Sequence, residues 1–101
     1  FTTCSVEYSE VGTGIAAVQA LEHNGIEVIN GYEVCCGMPF LDVGDVDAAT
    51  KNAERNIARL AQAVGQGYAV VAPGPTCSCM LKEEYPLLVD SDEARLVAQN
   101  T

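Results

Sequence analysis

Short apolar runs alternate with helical stretches along this chain. That order predicts an α/β fold: a small open parallel sheet, βαβαβα, flanked by helices. Three observations carry the expectation. Phe1-Thr2-Thr3 and Ile26 to Ile29 have strand-like composition, and Tyr68-Ala69-Val70-Val71-Ala72 is a nearly unbroken apolar run, the pattern of a strand buried on both faces. Between them lie stretches with apolar residues at helical spacing. Glycine and proline stand at the junctions.

The elements follow in order. Phe1 to Thr3 reads as the end of a strand, followed by Cys4 and a polar stretch to Gly12. Thr13 can cap a helix through His23, with Gly14, Val18 and Leu21 along one stripe and Ile15 beside it. Asn24-Gly25 stops it, because glycine takes the left-handed conformation at a helix end. Ile26 to Ile29 is the second strand, and Asn30-Gly31 breaks it. The chain then passes through Val34 into Cys35-Cys36-Gly37-Met38-Pro39. Asp45 is placed to cap the longest helix, whose inner stripe is Ala49, Ala53, Ile57, Leu60, Ala61 and Val64. Gly65 and Gly67 end it. After the third strand, Pro73-Gly74-Pro75 turns the chain, Thr76 or Ser78 caps a helix to about Tyr85, and Pro86 closes it. A last helix runs from about Asp92 to Gln99.

Composition bounds the function. The 101 residues amount to one domain, 1–101, and 49% of them are hydrophobic, which suits a globular chain. Five Lys plus Arg stand against fourteen Asp plus Glu, a net charge of −9. A nucleic-acid partner is excluded, because phosphate binding needs clustered cations. Docking on anionic lipid is disfavoured for the same reason. No apolar run approaches the roughly 20 residues of a membrane span, so no direct membrane insertion is expected. The chain opens on Phe1 with little room for a first strand, and it reads as a fragment of a longer protein.

Five cysteines are an odd number, and a disulfide framework would leave one unpaired. Reduced thiols serving a metal are the better reading. On the expected fold, Cys4 follows the first strand, Cys35 and Cys36 the second, and Cys77 and Cys79 the third. All five would then meet at the carboxyl edge of the sheet, where open α/β folds bind ligands. A helix start at Cys77 and Cys79 would also favour thiolate. Thiolates ligate zinc and iron–sulfur clusters alike. Adjacent cysteines in an extended segment point to opposite sides. A cluster, being larger than one ion, suits Cys35-Cys36 better than zinc does, and Gly37 lets the backbone approach it. Zinc held by four thiolates remains the alternative, as does a metal-free partner-binding domain.

Other residues offer less. His23, near a helix end, has no companion histidine, and Gly12 and Gly14 lack the third glycine of a nucleotide loop. Asp42, Asp45 and Asp47 lack the glutamate of a calcium loop. Glu83 and Glu84 read as a solvated helix face, Tyr8, Tyr85 and Met80 as packing residues.

The ordered set Thr3-Cys4, Val34-Cys35-Cys36-Gly37-Met38-Pro39 and Gly74-Pro75-Thr76-Cys77, running on to Glu84-Tyr85-Pro86, resembles the CCG, or cysteine-rich, domain. That domain occurs in the subunit designated B of heterodisulfide reductase and in the subunit designated C of anaerobic glycerol-3-phosphate dehydrogenase. It also occurs in iron–sulfur subunits of glycolate and lactate oxidation. The resemblance implies a non-catalytic electron-transfer subunit of an anaerobic oxidoreductase, carrying a noncubane [4Fe–4S] cluster. Its cofactor-binding, metal-ligating residues would be Cys4, Cys35, Cys36, Cys77 and Cys79. The last departs from the pattern: a Cys-x-x-Cys ending would put a thiol at position 80, where Met80 stands. The implied partners are a flavin-containing dehydrogenase subunit and other iron–sulfur modules, including a second CCG module in the same polypeptide. The implied location is the cytoplasm, peripheral at the inner face of the cell membrane through other subunits.

Overall fold

Eight helical elements and no strand make up the computed structural model, which describes residues 1–101. They are α1 (Cys4–Tyr8), α2 (Val11–His23), α3 (Met38–Asp42), α4 (Val46–Gly65), α5 (Pro75–Cys79), a π-helical turn (Met80–Glu84), α6 (Tyr85–Leu88) and α7 (Asp92–Gln99). The expected α/β fold with its parallel sheet is therefore overturned. The architecture is a small all-helical domain.

The reason lies in where the backbone groups of the three apolar runs go. A ladder needs N–H and C=O groups paired between neighbouring strands. Here a single backbone bond joins two of the runs, from the Phe1 amino group to the Val71 carbonyl at 2.9 Å. The Val70 N–H turns instead to the Asn100 carbonyl beyond α7, at 2.8 Å. The Ile26 N–H closes the end of α2 on Leu21, and Tyr32 and Val34 donate to the side chains of Asn30 and Asn56. An open apolar trough of about 1030 Å³ separates Ile26–Gly31 from Gly67–Val71, lined by Phe1, Leu21, Val28 and Val70 among others. With that gap between them, the runs cannot pair.

The core forms around α4. Asp45 caps it as expected, its carboxylate accepting from the Ala48 N–H at 3.1 Å. Ala49, Ala53, Ile57 and Leu60 recur every three or four residues and are buried on one face. Against that face pack Met80, Leu81 and Tyr85 from the π-helical turn and α6, and Ala94 and Val97 from α7. Ser91 caps α7 through the Ala94 N–H at 3.1 Å. The small side chains of Ala49 and Ala53 admit close neighbours, and Gly37 uses this. A Cβ at Gly37 would stand 3.3 Å from the Ala49 backbone, and its φ of 97° is one that glycine tolerates best. Thus α4 both supplies the core and seats the Cys35-Cys36-Gly37 turn. No helix is long and apolar enough to cross a membrane.

Candidate metal centre

Three segments distant in sequence bring four thiols together. Cys4 opens α1, behind Thr3, whose hydroxyl accepts from the Val6 N–H at 3.2 Å. Cys35 and Cys36 lie in the turn before α3, and Cys77 lies in α5 behind Pro75. The side chains of Cys4 and Cys35 interact, as do those of Cys36 and Cys77, and Cys77 also senses the charges of Cys4 and Cys35. Tyr85 lies against this group from the core, and Tyr32 borders it on the side of Cys4 and Cys35. Glu7 fastens the Cys4 end: its carboxylate accepts from Thr2 and, at 3.1 Å, from Asn30 in the segment leading to Cys35.

Cys79 stands apart. It is exposed, at the end of α5, and interacts with none of the other four thiols. Met80, at the position where a Cys-x-x-Cys ending would place a thiol, is fully buried in the core.

Burial governs the electrostatics. It pushes the Cys36 thiol up to about 11, against the pull of a hydrogen bond from the Met38 N–H. Burial likewise raises Cys77, against the thiolate expected from a helix start, and α5 is only five residues long. Cys4 is raised by burial and then by the neighbouring charge of Cys35. No basic side chain offsets these shifts. In the metal-free protein these three thiols therefore hold their protons at neutral pH, and a metal must displace them on binding.

The donor set suits a thiophilic centre, but its spread matters. No three of the His, Cys, Asp and Glu side chains converge closely enough to hold one metal ion. Thiolates of this kind ligate zinc and iron–sulfur clusters alike.

Sequence reasoning misses the polar base of the site. Asn56 is fully buried on the inner face of α4. Its Oδ1 accepts from the Val34 N–H at 3.1 Å, and its Nδ2 donates to the Val34 carbonyl at 3.0 Å and the Cys35 carbonyl at 3.3 Å. Asn52 also donates to the Cys35 carbonyl, at 3.0 Å. The available signal is an amide on the apolar stripe, between Ala53 and Ile57.

The family model of the cysteine-rich domain, CCG, matches residues 1–82. The chain belongs to the CCG family. Among curated relatives of this CCG domain is the subunit designated C of the anaerobic glycerol-3-phosphate dehydrogenase of Escherichia coli (strain K12). It is 34% identical over 98 residues, covering 95% of this chain and 25% of the relative. Lactate utilization protein A of Macrococcus caseolyticus is 40% identical over 93 residues, 91% of this chain and 36% of the relative. The subunit designated B of the fumarate reductase (CoM/CoB) of Methanothermobacter marburgensis is 33% identical over 88 residues, 85% and 17% respectively. The CCG chain thus spans between a sixth and about a third of these relatives' lengths. No solved structure matches it. Two of these relatives are by name subunits of oxidoreductases.

Proposed function

We propose that this CCG domain is an electron-transfer module in which Cys4, Cys35, Cys36 and Cys77 hold a [4Fe–4S] cluster of noncubane type. One observation carries the reading: four thiols from three segments distant in sequence interact with one another, yet no three of them close on a single ion. When bound, such a cluster supplies one-electron transfer. The chain's own contribution is to gather the thiols, exclude water with the α4 and α6 side chains, and keep the Cys36 and Cys77 sulfurs buried. Cys79 is left outside the proposed ligand set. The module would serve a larger, two-module polypeptide, passing electrons from a flavin-bearing dehydrogenase subunit to other iron–sulfur modules of an anaerobic oxidoreductase. The relatives' names and the fraction of their length that the chain spans support this.

Anaerobic purification of the full polypeptide with iron and acid-labile sulfide analysis tests the reading. About four irons per module are expected, lost in Cys36→Ser and Cys77→Ser but retained in Cys79→Ser. Stoichiometric zinc without iron would instead favour a structural thiolate site, for which four thiols are the right number.

A further inference from the structure

The Val34–Gly37 backbone is held from one side only. The Val34 carbonyl accepts from Asn56, the Cys35 carbonyl from Asn52 and Asn56, and the Cys36 carbonyl from the Tyr85 hydroxyl at 2.9 Å. Asn56 and Tyr85 are joined to each other, with Asn56 Nδ2 donating to the phenolic oxygen at 2.9 Å. Both residues are fully buried, and so are the bond between them and the bond to the Cys36 carbonyl, while those to the Val34 and Cys35 carbonyls are partly buried.

Peptide geometry turns this into a statement about the opposite side. All peptide bonds are trans, so each carbonyl points away from the N–H of the next residue. With the oxygens of residues 34, 35 and 36 drawn toward α4 and α6, the N–H groups of Cys35, Cys36 and Gly37 are turned away from them. None of these three N–H groups meets an oxygen acceptor in the protein. The next N–H in line, that of Met38, donates to the Cys36 sulfur. Successive free N–H groups of this kind form a concavity suited to negative charge.

We infer that Asn56 and Tyr85, with Asn52, are positioning residues that fix these peptide groups so that their N–H donors serve the anionic sulfur centre. The inference rests on the cluster reading above. It assigns Tyr85 and Asn56 to tuning rather than to ligation: donors held near the sulfurs stabilise the more negative, reduced state and raise the reduction potential. Free rotation of the Cys36 carbonyl would weaken that effect. A fully buried tyrosine whose hydroxyl spends its donor on a loop carbonyl is otherwise an unneeded way to fill this core.

The test is a redox titration of the anaerobically purified full polypeptide, followed by visible absorption and electron paramagnetic resonance. Tyr85→Phe removes only the hydroxyl, and Asn52→Ala removes one donor from a half-buried position. Expected are wild-type iron content in both variants and altered resonance signals. The oxidised-to-reduced ratio at a fixed potential should rise about tenfold in Tyr85→Phe, a fall of about 59 mV for one electron, with a smaller change in Asn52→Ala. Should Tyr85→Phe fail to fold, Asn52→Ala decides alone. Variants that carry iron but keep the wild-type potential and signals would overturn the inference and leave the cluster reading intact. A wild-type protein without iron would remove both.

Discussion

Asn56 donates to the Tyr85 hydroxyl at 2.9 Å, and the hydroxyl passes the interaction on to the Cys36 carbonyl at 2.9 Å. The longest helix and the Cys35-Cys36 turn are thereby joined through two side chains that see no solvent. Stability and the seating of the Cys35-Cys36 turn share these bonds.

Replacing Asn56 by Ala leaves the half-buried Val34 N–H and carbonyl without their partner, the Cys35 carbonyl with Asn52 alone, and the fully buried Tyr85 hydroxyl without its donor. Losing one buried partner costs about 1–3 kcal/mol, and the bonds here are coupled. A loss of about 3 kcal/mol is expected for Asn56→Ala in denaturant unfolding of the metal-free protein. A loss under about 1 kcal/mol would contradict the network described.

Gly37→Ala meets two obstacles at once, a positive φ and the 3.3 Å approach to Ala49. A left-handed non-glycine residue costs on the order of 1–3 kcal/mol. The expected result is a lower melting temperature together with reduced iron uptake, since the strain falls beside Cys36. Unchanged uptake would mean that the turn is not seated on α4 as described.

Met80→Leu conserves volume in the core and is expected to cost less than about 1.5 kcal/mol. Iron content should not change. Loss of iron in this variant would give the thioether a ligand role that its complete burial in the core does not support.

Cys36 yields a pH dependence in the metal-free protein. Its folded value of about 11 lies above the ordinary 9.0, so the folded state keeps a proton that the unfolded chain gives up. The stabilisation is therefore full below about pH 9 and is lost as pH rises toward about 11, a change on the order of 2 kcal/mol. Wild type and Cys36→Ser should diverge over that window in unfolding experiments. Alkylation should mark exposed Cys79 well before Cys36. Equal alkylation rates at neutral pH would contradict the burial of Cys36.

Much of this is legible in the sequence. Asp45 and the Ala49–Ala53–Ile57–Leu60 stripe announce α4, because capping and a regular apolar period are local signals. The separation of Cys4, Cys35-Cys36 and Cys77 onto three distant segments is legible too, but the sheet edge expected to gather them does not exist, and the interactions among these thiols join α1, the turn before α3 and α5 instead. The strands are a different matter. Val71 fits the pattern of a doubly buried strand but is 58% exposed, while its neighbour Val70 bonds to Asn100, a partner that composition cannot announce. Short α1 is hidden because it forms through the Thr3 cap rather than through a periodic stripe. Asn56 gives little sign of its role because its partners are backbone atoms some twenty residues away.

X-ray absorption at the iron K-edge of the anaerobically purified full polypeptide tests the shared thiol centre most directly. The account expects an iron edge with an all-sulfur first shell and a short iron–iron vector, both abolished in Cys36→Ser. A zinc edge with a single sulfur shell and no iron, or iron bound by nitrogen and oxygen alone, would contradict it.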